Sequence, residues 1–326
     1  MYLLLAVSSA ALALVVTPLI GRGSTRLGLV DAPGGRKVHA RSVPRLGGLA
    51  VALAAALALT ATILLAPSID IGAWRAMRPL LFAAGLVFLA GLVDDVRGLG
   101  AGPKLLIEFA AAAVIMSSGL LIERVTVLGS TWQLGWATWP VTAAWLVGMT
   151  NAFNLIDGVD GLAAGITAIA GSACAAILVA RGHAPEAMLL ASLVGASIGF
   201  LFFNFAPASI FLGDSGSLAA GFLLGATAIT GWQKGATALA AGVPLMIFAL
   251  PIADSVLALI RRSAARPSDG RSIRATLRQI AQPDRAHIHH RLLAMGWSVR
   301  RTVVVLYGIT AILSVLALAT ADVNTP

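Results

Sequence analysis

Apolar runs, most of them long enough to cross a lipid bilayer as a helix, recur ten times along this chain of 326 residues. They lie at about 2–20, 46–66, 79–93, 105–122, 138–151, 162–180, 187–205, 217–232, 237–260 and 302–320. A span takes about 20 apolar residues, and somewhat fewer where a helix bends or ends inside the protein. With 58% hydrophobic and 11% charged residues there is too little polar surface to cover a soluble domain of this size. The chain is therefore expected to be an all-α integral membrane protein of about ten transmembrane helices, forming a single domain over 1–326. Pro244 and Pro251 should kink the ninth run, because each removes a backbone donor. The first run lacks a basic leader and runs straight into a proline, so it reads as an uncleaved span. The single cysteine, Cys174, excludes a disulfide framework and a thiolate metal cluster.

Loop charge sets the expected orientation. Of the 23 Lys and Arg residues, 18 fall in the odd-numbered loops, at about 21–45, 94–104 and 261–301. Such an excess marks cytoplasmic loops, which puts loops 152–161 and 206–216 on the same side and both termini outside. The formal net charge of +9 is gathered in short loops between apolar runs, which points to topology and to anionic lipid or phosphate rather than nucleic acid. Between the fourth and fifth runs, Val125 and Val127 alternate, then Trp132, Leu134 and Trp136, around Gly129-Ser130. This is a small β-hairpin pattern, expected on the extracytoplasmic surface with its tryptophans at the interface.

The chemically capable residues occupy the same odd-numbered loops. GLVDDVRG places Asp94 and Asp95 at the end of the third run, where two carboxylates oppose each other and the helix macrodipole; a compensating metal or lysine is expected, and Lys104 is the nearest candidate. NAFNLIDGVDGLAAG brings Asn151, Asn154, Asp157, Gly158 and Asp160 before the sixth run, so oxygen ligands and exposed amides meet at a helix start, suited to an anion and its hard cation. NFAPASIFLGDSGS sets Asn204, Phe211 and Asp214 before another helix start, beside Gly213 and Gly216. PDRAHIHHRL packs His287, His289, His290 and Arg291 together. Zinc is poorly matched without cysteine, whereas imidazole and guanidinium suit phosphate. Carboxylates, amide oxygens and cations converging on one face are the inventory of phosphoryl transfer, with Mg2+ the best-fitting ion and Mn2+ a substitute.

These motifs, with RKVHARSVPRLGG (36–48) before them, resemble the polyprenyl-phosphate N-acetylhexosamine-1-phosphate transferases. The HIHH form is similar to the undecaprenyl-phosphate N-acetylglucosamine-1-phosphate branch. The resemblance implies transfer of a sugar phosphate, most simply N-acetylglucosamine-1-phosphate, from a UDP-sugar to undecaprenyl phosphate, with release of UMP, at the cytoplasmic face of a bacterial inner membrane, for cell-envelope polysaccharide synthesis. By position, it implies that Asn154 and Asp214 hold Mg2+ against the diphosphate. Asp157 belongs to the same catalytic group, and Asn151 and Asn204 to the substrate contacts. It gives Gly158 and Asp160 to the uracil with Phe211 stacked on it, and Lys104, His287, His289, His290 and Arg291 to phosphates or sugar. Asp94 and Asp95 then position or deprotonate the lipid phosphate, which Arg41 and Arg45 guide. A phosphate monoester is largely ionised at neutral pH, so positioning outweighs general-base work. A homodimer is compatible with the resemblance, although no dimer seam is visible. The chain departs from the family in a stretch between Arg262 and Pro283 about ten residues longer than usual, within which 272–281 is expected as a short basic helix on the membrane surface. A transporter, the rival class, would place ionisable groups along a path at the bilayer midplane; only Glu108 and Asp254 lie within runs, both near cytoplasmic ends.

Overall fold

A computed structural model describes residues 1–31, 42–66, 70–127, 130–232, 242–264 and 287–321. Arg41 and the expected surface helix at 272–281 lie outside these residues. The described chain is a helical bundle, with helices α1 (Tyr2–Arg26), α2 (Gly47–Leu65), α3 (Ile71–Ala76), α4 (Arg78–Arg97), α5 (Ala101–Ser117), α6 (Thr138–Ile156), α7 (Leu162–Ala180), α8 (Ala184–Asn204), α9 (Gly213–Trp232), α10 (Gly242–Ile247), α11 (Ala249–Ala264), α12 (Ile288–Ala294) and α13 (Val299–Thr320). Two short antiparallel ladders complete it: β1 (Val30–Asp31) with β2 (Val43–Pro44), and β3 (Arg124–Val127) with β4 (Ser130–Gln133).

Among the described residues, six helices, α1, α2, α4, α7, α8 and α13, are long and apolar enough to cross a membrane, and the chain is an all-α, multi-pass membrane protein. The other expected spans take different forms for physical reasons. α5 has 17 residues. α6 ends, and α9 begins, in polar residues of the loops described above. The ninth run is divided into α10 and α11 at Phe248, between the two prolines expected to interrupt it.

Small residues let the helices approach closely. Gly195 and Gly199, four apart on α8, face the backbone carbonyls of Ala6 and Ala10 on α1, where a Cβ would have no room. The buried Ser9 hydroxyl donates to the Ser192 carbonyl at 2.7 Å across the same seam. α7 and α8 are largely enclosed by other helices, whereas α1, α2 and α13 turn most of their apolar surface outward, as lipid-facing helices do. α9 runs through the middle, packed on α4, α6, α7 and α2. Met149 and Phe153 of α6 lie against it and join the main apolar core, with Phe153 edge-on to Phe248 at 6.3 Å.

One connection determines the site. The segment between α8 and α9 is fastened to the start of α2: Gly47 N–H donates to the Phe211 carbonyl at 2.9 Å and Gly48 N–H to the Leu212 carbonyl at 2.6 Å. These are helix-initial donors with no partner within their own helix. Phe211 N–H in turn donates to the Pro44 carbonyl at 2.8 Å, and Asn204 Nδ2 to the Ile210 carbonyl at 2.9 Å.

Candidate active site

The polar ends of α4, α5, α6 and α9 meet at Asp214, in the first turn of α9. Lys104 Nζ of α5 lies 2.7 Å from Asp214 Oδ2 and 3.4 Å from Asp94 Oδ2 of α4. Asn154 Nδ2 of α6 donates to the same Asp214 oxygen at 3.3 Å, while Ser217 Oγ donates to Asn154 Oδ1 at 3.1 Å. Residues 110 and 60 positions from Asp214 thus share one carboxylate oxygen. The lysine is the cation that the Asp94–Asp95 pair called for.

Asp95, which also lines the adjoining cavity, is held differently from Asp94. It is buried, and its two oxygens accept from Asp214 N–H at 2.8 Å, Ser215 N–H at 3.0 Å and Ser215 Oγ at 2.6 Å. A carboxylate there caps α9 and complements the positive end of its dipole. The close approach depends on two glycines. A Cβ on Gly91 would lie 2.5 Å from the Asp214 carbonyl, and one on Gly213, whose φ is +75°, would lie 2.7 Å from Asp95 Oδ1.

A cavity of about 1220 Å³ opens beside this cluster. Asp94, Asp95, Asp157, Gly158, Asp160, Asn204, Phe211, Asp214 and His290 are among the residues that line it, whereas Lys104 and Asn154 reach it only through Asp214. Asp160 Oδ2 accepts from Ala208 N–H at 2.8 Å, tying the α6–α7 loop to the α8–α9 loop. Arg45, paired with Asp31, lies on the rim. Burial pushes the Asp157 carboxyl well above the ordinary carboxylate range, reinforced by the negative charges of Asp214 and Asp95 and opposed by a hydrogen bond from Gly213 N–H. The site thus concentrates more negative charge than Lys104 neutralises.

The histidines are arranged in depth. His290 lines the cavity. His289 lies behind it, with ring centroids 4.4 Å apart, and is 2% exposed. Burial, then the charge of His290, push its imidazole down to about 4. His287 stacks on His289 at 5.7 Å and presents Nδ1 to Asp254 Oδ2 of α11 at 2.9 Å, while Ile288 N–H donates to Asp254 Oδ1 at 2.7 Å. His287 and His289 accordingly form the base of α12, and neither lines the cavity; nor does the exposed Arg291. Asn151 is also set back, bonded to Glu108 instead. Conversely, sequence reasoning counted Arg300 only as a topological charge. It lines the cavity from the first turn of α13, with Nε donating to the Ala206 carbonyl at 2.8 Å. The signal was Ser298, which caps α13 and fixes where its first turn begins.

Among the described residues, no three His, Cys, Asp or Glu side chains are gathered closely enough to hold a metal by themselves. A cation here would have one or two protein oxygens and take the rest from water and substrate. That is how Mg2+ is usually held beside phosphates.

Comparison with known proteins covers the residues that build this site. The glycosyl transferase family 4 pattern matches residues 77–232, which carry α4 to α9. A probable undecaprenyl-phosphate N-acetylglucosaminyl 1-phosphate transferase of Bacillus subtilis (strain 168) is 36% identical over 307 residues, covering 94% of this chain and 81% of the relative. A decaprenyl-phosphate N-acetylglucosaminephosphotransferase of Mycolicibacterium smegmatis is 35% identical, covering 86% and 73%. A phospho-N-acetylmuramoyl-pentapeptide-transferase of Halalkalibacterium halodurans is 32% identical, covering 87% and 86%. With these lengths aligned and the Asp-rich loops assembled at α9, the chain belongs to the polyprenyl-phosphate N-acetylhexosamine-1-phosphate transferases, on the branch that handles N-acetylglucosamine-1-phosphate.

Proposed function

We propose that the protein transfers N-acetylglucosamine-1-phosphate from UDP-N-acetylglucosamine to undecaprenyl phosphate, releasing UMP and leaving a lipid-linked diphosphate sugar for cell-envelope synthesis. The observation that carries this reading is the convergence of Lys104, Asn154 and Asp214 on one oxygen at the edge of a carboxylate-lined cavity. The relatives are named for undecaprenyl and decaprenyl phosphate acceptors, which supports a long-chain lipid phosphate as the nucleophile.

Asp214 and Asn154 suit a Mg2+ ion, because the excess negative charge around them favours a hard cation and their oxygens supply part of its shell. Bound there, the ion would neutralise the diphosphate oxygens and so polarise phosphorus toward attack. Lys104, released from Asp214, would supply a positive charge for the equatorial oxygens of the transition state. Asp94, not bound up in the α9 cap, faces the cavity and orients the lipid phosphate, which is already largely ionised. Asp95 acts indirectly by holding the first turn of α9, and with it Asp214. Gly158, Asp160 and Phe211 form the wall assigned to uracil, and His290 and Arg300 provide donors for the sugar phosphate.

The basic odd-numbered loops support a cytoplasmic site and outward termini. The exposed Trp132 and Trp136 support an extracytoplasmic interface for the β3–β4 hairpin. The test is purified protein in detergent with undecaprenyl phosphate, Mg2+ and a panel of UDP-sugars, following UMP. UMP with UDP-N-acetylglucosamine that stops on EDTA addition supports the reading. Full activity in EDTA sinks the metal, and no UMP from any UDP-sugar sinks the donor class.

A further inference from the structure

One turn beyond the Lys104–Asp214 contact, two polar side chains that the transfer does not use meet inside the protein. Glu108 follows Lys104 by four residues on α5, and Asn151 precedes Asn154 by three on α6, so each lies on the same helix face as its site neighbour. Glu108 is 1% exposed and accepts a hydrogen bond from Asn151 Nδ2, which also donates to the Val147 carbonyl at 2.9 Å. Neither residue lines the cavity, nor do Lys104 and Asn154, but unlike those two neither bonds to Asp214. A buried carboxylate is strongly unfavourable unless it is compensated. Asn151 supplies a hydrogen bond and Lys104, one turn away, a positive charge, which together offset part of that cost. α5 packs on α4 and α6, so its register against α9 is transmitted through those two neighbours.

We propose that Glu108 and Asn151 form a latch between α5 and α6 that fixes Lys104 and Asn154 in register on the same Asp214 oxygen. They are positioning residues, with the Asn151 amide committed to Glu108 and the Val147 carbonyl. A lysine side chain is long and freely rotating, so its 2.7 Å approach to Asp214 depends on where its helix is held. The latch couples the helix that supplies Lys104 to the helix that supplies Asn154, and it does so at the level where both helices enter the bundle.

The kinetic arm of the test rests on the transfer reading; the chemical arm does not. Glu108→Ala, Asn151→Ala, the double variant and Glu108→Gln are prepared as full-length protein in detergent. Acylation of Lys104 by acetic anhydride, followed by mass spectrometry, needs no substrate. It should speed up by about fivefold or more in the alanine variants, and stay near wild type in Glu108→Gln, which keeps the acceptor. In turnover, each alanine should lower kcat about tenfold with the KM for the UDP-sugar within about twofold, and the double variant should be no worse than either single. Where alanine prevents folding, Asn151→Ser, with a donor of shorter reach, carries the same comparison. Unchanged Lys104 reactivity in the alanine variants overturns the latch, as do additive losses, or a raised KM with kcat intact in Asn151→Ala. If wild type releases no UMP from any UDP-sugar, the transfer reading fails while Lys104 acylation still decides the latch.

Discussion

Asp95→Asn separates two roles that both lower activity. In the structure, Asp95 accepts three hydrogen bonds, two from backbone N–H groups in the first turn of α9 and one from Ser215 Oγ. An amide of the same shape keeps one acceptor oxygen and turns an NH2 group toward a donor. The variant therefore loses at least one charge-assisted bond, worth about 1.5–3 kcal/mol, and the favourable interaction of a charge with the helix dipole, up to about 2 kcal/mol in a buried position, offset in part because an amide is cheaper to bury than a carboxylate. Together these come to about 2–4 kcal/mol, concentrated where Asp214 is attached. The buried Cys174 is the only cysteine, so a maleimide dye that fluoresces on thiol capture reports unfolding directly. The thermal transition should fall by roughly 5 °C or more, and Asp95→Glu should not restore it, because Gly91 and Gly213 leave no room for a longer chain. An unchanged transition with lost activity would refute the capping role and return Asp95 to the substrate.

Three further outcomes follow from the geometry. Gly91→Ala should drive α4 and α9 apart, since a Cβ there lies 2.5 Å from the Asp214 carbonyl; a destabilisation of about 1–3 kcal/mol is expected by chemical denaturation, with activity lost. His289 is neutral in the folded protein down to about pH 4, against 6.5 when unfolded, so the unfolded state binds the proton first. Its contribution is complete above pH 6.5 and is lost as pH falls from 6.5 toward 4, by up to about 3 kcal/mol. Thermal transitions of His289→Gln should be flatter than wild type over that window, and a matching slope would contradict the assignment. A periplasmic reporter fused after Pro326 should be active, and activity of a cytoplasmic reporter at the same point would overturn the topology.

Most of the architecture was legible because lipid imposes a simple rule on composition: apolar runs become helices. The rule weakened where the site begins. α6 and α9 trade apolar residues for Asn151, Asn154, Asp214 and Ser217, and two prolines divide α10 from α11, so the run count alone overstates how many helices look like independent spans. The loops that build the site were also legible, because carboxylates and amides beside glycines are costly unless used. What the sequence did not disclose was who faces whom. Asp95 looked identical to Asp94, yet one caps α9 and the other meets Lys104. His287 looked as accessible as His290, yet Asp254, 33 residues earlier, draws it inward. Arg300 was one arginine among many until the start of α13 set it against Ala206. Each of these depends on packing between distant segments, which local pattern does not encode.

On the proposed function, Asp214, where α4, α5 and α6 converge, organises transfer of a sugar phosphate. The direct measurement is UMP formation from UDP-N-acetylglucosamine and undecaprenyl phosphate by Asp214→Ala, in protein whose thermal transition matches wild type. A loss on the order of 100-fold or more in kcat is expected; turnover within a few-fold of wild type would contradict this role of Asp214.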